Sequence, residues 1–196
     1  MPLIEKLTPW QQHVEDWSNC DQCDLCSQRS RIVLARGSVP ADIVLVGEAP
    51  GISEDILGVP FAGPAGGLLD HITDAALHGR QITCAWTNLV ACFPRLAKEA
   101  GDNEPTDKEI KACGNRLREF ITLCRPRLIV TVGKLSDRWT PKVAEKVEGY
   151  RNKPPRWCSL LHPAAILRQT EAQKGLSIQR SIVVLRTAID SMLENL

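Results

Sequence analysis

Two stretches of this sequence carry residue types at spacings that could do chemistry. The first, residues 46–70, reads VGEAPGISEDILGVPFAGPAGGLLD and sets Glu48, Glu54 and Asp55 among Gly47, Gly51, Gly58, Gly63, Gly66 and Gly67. Glycine lets a backbone approach a ligand closely, and Gly66-Gly67 could bring helix N-terminal amides to a phosphate. The spacing matches neither the dinucleotide fingerprint nor the Walker pattern, so the loop by itself indicates only a phosphorylated ligand. The second stretch is CDQCDLC, which holds three of the eight cysteines as Cys20, Cys23 and Cys26. Residues 1–19 carry charges and a proline where a secretory signal would be apolar, which disfavours disulfides and makes a metal or cluster site the leading account. Cys84, Cys124 and Cys158 lie inside apolar runs and read as packing residues.

These residues need a frame to position them. At 196 residues, 43% hydrophobic and 24% charged, the chain suits a single domain spanning 1–196, monomeric and cytoplasmic, with no apolar run long enough for a membrane span. The net charge of +1 conceals an asymmetry: residues 41–110 hold eleven Asp/Glu against four Lys/Arg, and residues 111–168 hold thirteen Lys/Arg against four Asp/Glu. Such a basic half suits either a polyanion or a set of solvated helix faces. Apolar runs at 42–46, 83–90, 128–132 and 157–161 read as buried strands. Helical periodicity marks 8–18, 65–78, 107–124, 134–148 and 176–194. Alternating strands and helices predict an α/β fold, a three-layer α/β/α sandwich with a central four-stranded parallel sheet. Glu48, Gly133 and His162 each follow one of these strands and Asn88 sits at the end of another, where open parallel sheets bind ligands, so all four are expected to point into one crevice.

The motifs GEAPGISEDILGVPFAGPAGGLLD, TNLVACFP and HPAAILR behind CDQCDLCSQR resemble the iron–sulfur uracil-DNA glycosylases, family 4 of the uracil-DNA glycosylase superfamily, in order from Cys20 to Arg168. The resemblance implies hydrolysis of the N-glycosidic bond of uracil in single- or double-stranded DNA, after the base is flipped out, to leave an abasic site. It implies a [4Fe–4S] cluster held by Cys20, Cys23, Cys92 and Cys113, with Cys26 spare and the cluster structural. Phe61 matches the aromatic that stacks on the extruded base, and Asn88 the amide that reads the pyrimidine edge. Glu54 matches the acid that crowds the C5 side and excludes thymine. Glu48 matches the carboxylate that positions water or steadies the sugar cation, and His162 the histidine that faces the departing base oxygen. Gly47 and Ala49 join the substrate-binding loop, while Gly66, Ala164, Ala165 and Arg168 are expected against the DNA strand. No lysine takes a motif position that suggests Schiff-base lyase chemistry.

The match departs in places. Twenty residues separate Cys92 from Cys113, more than the family pattern, and residues 93–112 contain no histidine of the kind that traps uracil covalently in some superfamily members. Ala164-Ala165 replaces a serine-containing version. These differences leave room for excision of a C5-modified pyrimidine, for example from viral DNA in antiviral defence, although Glu54 argues against a bulky C5 group. From other classes come a non-catalytic zinc-containing nucleic-acid-binding module and a small electron-transfer protein built around the cluster.

Overall fold

A computed structural model describes residues 6–94, 104–145, 147 and 153–194. Chain order is α1 (Pro9–Trp17), a 3₁₀ turn (Asp24–Ser27), β1 (Ala35–Gly37), β2 (Ile43–Gly47), α2 (Ile52–Leu57), α3 (Pro64–Leu77), β3 (Cys84–Asn88) and α4 (Asp107–Cys124). There follow β4 (Leu128–Val132), α5 (Lys134–Ala144), β5 (Arg156–Leu160), α6 (Pro163–Leu167) and α7 (Glu171–Leu193). Residues 95–103 of the long loop after Cys92 lie outside the described residues, as do residues 146 and 148 of the helix expected to reach 148.

The sheet has five strands in the order β1-β3-β2-β4-β5, which corrects the expected four. β2, β3, β4 and β5 run parallel, as predicted, and β1 pairs antiparallel to β3 through Ala35–Thr87, Arg36–Trp86 and Gly37–Ala85. Three residues, Ala-Arg-Gly, show no periodicity, which hid β1 from the sequence reading.

β2 and β4 are buried along their whole length, so alternate residues serve opposite faces. Val44, Val46 and Ile129 join one core with Leu117, Phe120 and Ile121 of α4 and Trp139 and Val143 of α5, while Trp10 of α1 packs at its margin. Ile43, Leu45, Leu128, Val130 and Val132 join the other with Leu69 and Ile72 of α3, Ile166 of α6 and Leu185 and Ile189 of α7. Helices therefore cover both faces and make three layers.

Local chemistry fixes the helix starts. Thr8 with Gln11, and Thr106 with Glu109, form capping boxes at α1 and α4. Thr170 caps α7 earlier than the periodicity indicates, because Gly175 interrupts a helical pattern that tertiary packing carries through. Cys84, Cys124 and Cys158 are buried as packing residues, and burial pushes their thiols up to about 12, about 12 and about 11. No described helix is long and apolar enough to cross a membrane.

Leu45 is 0% exposed at the centre of the sheet. Leu45→Ala is expected to cost about 2–5 kcal/mol, read as a lower urea midpoint; an unchanged midpoint would refute this placement of the core.

Candidate functional site

β2 and β3 end level with each other, since Gly47 pairs in register with Asn88. A Cβ at position 47 would collide with the Asn88 Oδ1 and the Phe61 ring, so the missing side chain makes the room both occupy. The Asn88 side chain is 1% exposed, and its Nδ2 has no hydrogen-bond partner among the described residues. A buried donor of this kind costs stability unless a ligand accepts from it.

Phe61 is held in a left-handed backbone conformation, φ 56°, which is unusual for an aromatic residue. Its N–H donates to Glu54 Oε1 at 2.6 Å, and the Gly51 N–H donates to the other oxygen of the same carboxylate. Arg36 Nε donates to the neighbouring Pro60 carbonyl at 2.9 Å while Arg36 also pairs with Asp70 of α3 and stacks on Trp86. Gly66, in the first turn of α3, lies so close beneath the Phe61 carbonyl that a Cβ would overlap it. The Gly67 N–H, by contrast, is spent inside the helix on the Gly63 carbonyl.

An open cleft of about 950 Å³ lies beyond the carboxyl ends of the strands. Glu48, Ala49, Glu54, Gly66, His162, Ala164, Ala165 and Arg168 all line it. Gly47, Phe61 and Asn88 sit together but do not line it: Phe61, 5% exposed, packs with the core directly behind the lining residues Glu54 and Gly66. Of the four strand-end residues expected in one crevice, Glu48, Gly133 and His162 therefore line it and Asn88 is buried. Lys134, Asp137, Ser159 and Arg180 line the cleft too, although the sequence reading did not single them out. Lys134 follows the strand-ending Gly133 and could have been found from that position, but Arg180 carries no local signal.

Two titratable groups in the cleft are shifted in opposite senses. Glu48 Oε1 accepts from the Leu135 N–H at 2.9 Å, in the first turn of α5, and burial raises its carboxyl above the ordinary range despite the Leu135 and Ser136 amides. His162 Nδ1 accepts from the Ala164 N–H at 3.2 Å, while burial and then the charge of Arg168 lower its pKa. Because Nδ1 is an acceptor, the neutral ring carries its proton on Nε2 and keeps that nitrogen as a donor. Burial also raises Glu54, against the pull of the Gly51 and Phe61 amides and of Arg36.

Cys20, Cys23, Cys92 and Cys113 line one further cavity, together with Leu25, Arg29 and Arg116, and Cys26 does not. Burial raises Cys92 to about 11 against the pull of Arg29, with further upward contributions from Cys113 and Cys23. Arg29 Nη1 donates to Cys92 Sγ at 3.4 Å. Among the described residues no three His, Cys, Asp or Glu side chains stand close enough to share a single metal ion. One zinc would draw four sulfurs to about 2.3 Å from a common centre. A four-iron cluster takes one thiolate at each iron, and the four cysteines around this one cavity supply that number of donors.

Gly133 has φ +98°, and a Cβ there would strike the Glu48 carboxylate. Gly133→Ala is expected to destabilise the protein by about 1–3 kcal/mol in denaturant titration. Wild-type stability in that variant would mean that Glu48 is not seated against the start of α5.

The profile of the Uracil DNA glycosylase superfamily matches residues 35–183 of the chain. A type-4 uracil-DNA glycosylase from Archaeoglobus fulgidus is 30% identical over 174 residues, which cover 82% of this chain and 84% of that protein. One from Pyrobaculum aerophilum is 33% identical over 177 residues, covering 82% and 87%. One from Saccharolobus solfataricus is 33% identical over 170 residues, covering 80% and 76%.

Proposed function

Because the chain belongs to the uracil DNA glycosylase superfamily, we propose that it hydrolyses the N-glycosidic bond of uracil in DNA and leaves an abasic site. The observation that carries this reading is the buried, unpartnered Asn88 Nδ2 beside the Phe61 ring, at a strand end opened by Gly47. An amide presents a donor and an acceptor side by side, which suits the carbonyl-and-imide edge of uracil and mismatches cytosine. The aromatic ring supplies a face for the base, and the cleft receives a nucleotide rotated out of its stack.

Bond cleavage passes through a cationic sugar and an anionic base, so the site needs negative charge near the first and donors for the second. Glu48 answers the first need, directly or through an ordered water. The Nε2–H of neutral His162 and the Asn88 amide answer the second. Gly47 and Ala49 shape the base-binding loop, and Gly66, Ala164 and Arg168 meet the strand. Glu54 uses both oxygens on backbone N–H groups, which supports a role in holding Phe61 in place along with its expected role beside C5. Cys20, Cys23, Cys92 and Cys113 would hold a [4Fe–4S] cluster. Bound there, it contributes no electrons to a hydrolysis and acts as a four-point cross-link between the N-terminal segment and the domain.

A uracil-containing oligonucleotide incubated with the protein and then with hot alkali is expected to break at the uracil. An intact strand at stoichiometric enzyme would reject the proposal, and cleavage confined to C5-modified pyrimidines would redirect it. Asn88→Ala and His162→Ala are each expected to lower turnover by about 10²-fold or more, the scale of losing a transition-state donor. Near-wild-type turnover would remove the residue from the site.

The pH dependence has a defined sign. Cleavage requires ionised Glu48, whose pKa burial raises, so kcat/KM falls as pH drops through a limb above the usual carboxylate value of about 4.3. His162 is shifted the opposite way, by burial and then by Arg168, which favours its neutral, Nε2–H form. Glu48→Gln is expected to flatten the limb as well as lower the rate, and an unchanged limb would assign it to another group.

A further inference from the structure

Arg116 is the largest of the fully buried side chains, 1% exposed, and it stands between the two sites described above. It lies three residues after Cys113 on α4, so one helix face delivers both to the wall of the cysteine cavity. Its Nη1 donates to Thr87 Oγ1 at 2.8 Å, and its Nη2 donates to the carbonyls of Asn88 and, at 3.0 Å, Leu89. Thr87 passes its own hydroxyl proton to the Leu34 carbonyl at 2.7 Å, so the hydroxyl is used both as acceptor and as donor. The backbone from Asn88 to Cys92 therefore has the proposed base reader at one end and a proposed cluster ligand at the other, with the guanidinium fixed to its first two carbonyls.

The charge of Arg116 is unusual for its setting. Among the described residues no carboxylate forms an ion pair with it, and its Nε has no hydrogen-bond partner. A buried cation needs a compensating charge close by. The side chain lines the cavity of Cys20, Cys23, Cys92 and Cys113, whose sulfurs would carry negative charge once they ligate iron.

We infer that Arg116 is a positioning residue that couples the cysteine centre to Asn88: its fork holds the carbonyls of Asn88 and Leu89, and the iron-ligated thiolates of the loaded centre balance its charge. The inference rests on the proposed function, with Asn88 as the reader of the base and the cysteines as the cluster ligands. Lysine keeps the charge but cannot span three acceptors, whereas methionine keeps neither the charge nor the fork. The two substitutions separate position from charge.

The test is made on the iron-loaded protein. Arg116→Lys is expected to retain wild-type iron content and cluster reduction potential, yet to lose about tenfold or more in kcat/KM on uracil DNA, the scale of a hydrogen bond to a charged group. In an Asn88→Ala background the same change is expected to cost nothing more, because it acts through Asn88. Arg116→Met is expected to lower the cluster potential as well, since a neighbouring positive charge that favours reduction is gone. Full activity in Arg116→Lys, or an equal loss with and without Asn88, overturns the inference. So does an unmoved potential in Arg116→Met. A wild-type protein that releases no uracil instead overturns the proposed function, while the potential still tests the charge balance. If neither variant folds, iron removal from the wild type followed by amide hydrogen exchange decides the point. Faster exchange at 88–92 supports the coupling, and unchanged protection there overturns it.

Discussion

A buried amide and an aromatic ring share the end of two adjacent strands here because one residue has no side chain. Gly47 and Asn88 face each other across the last rung of β2 and β3, and any Cβ at 47 would take the volume of the Phe61 ring and the Asn88 amide. The rest of the loop follows from keeping that volume filled by an aromatic face instead of a core side chain. Phe61 must arrive with positive φ, which is costly for a bulky residue and persists only where the surroundings enforce it. Glu54, Arg36 and the close approach of Gly66 supply that enforcement from α2, β1 and α3. Within the stretch Glu54, Gly47, Gly58 and Gly66 each answer a particular backbone or packing demand.

The electrostatics of the cleft follow from the same topology. Strands that end together are followed by helices that begin together, and helix N-termini favour anions and disfavour cations. Glu48 is seated against the start of α5, and His162 stands at the start of α6 with Arg168 at its far end. Burial opposes ionisation of the carboxylate, and the α5 amides partly offset it. At the histidine, burial and the arginine act together to keep the ring neutral. The two groups are thus set apart by their surroundings, a carboxylate steadied by the α5 amides and an imidazole favoured in its uncharged form, the division of labour that cleavage to a sugar cation and a base anion requires.

The parts legible in the sequence were those with strong local signals. β2 and β4 are continuous apolar runs because helices cover both their faces, and α4 carries a capping box and a clear amphipathic period. The cleft residues were legible as strand-end polar groups, since parallel topology alone brings strand ends together. α2 was hidden because it is six residues long and leaves Ile52, Ile56 and Leu57 exposed, against the usual pattern. α6 was hidden by its length of five residues. Arg116 was illegible because a lone arginine in an amphipathic helix reads as its solvated face; only its offset of three from Cys113 could have hinted otherwise. The shared duty of Glu54 depends on where Gly51 and Phe61 return in space, which no window of sequence contains.

The strand missed from the sequence is the one that fastens the Phe61 loop to the sheet. β1 adds only three paired residues, and its burial contributes little to the core. Its segment nevertheless touches both sites. The Val33 N–H bonds to the Ala91 carbonyl at 2.8 Å, one residue before Cys92, and the Leu34 carbonyl receives the Thr87 hydroxyl. Arg36 then lies over Trp86 and reaches out to the loop that carries Phe61. A parallel edge strand in this position would need a crossover connection, whereas an antiparallel one enters directly from the cysteine-bearing segment. Antiparallel pairing thus lets residues 20–37 pass from the cysteine cavity along β3 to the loop that carries Phe61 in one continuous run, so the N-terminal segment braces both ends of the Asn88–Cys92 backbone.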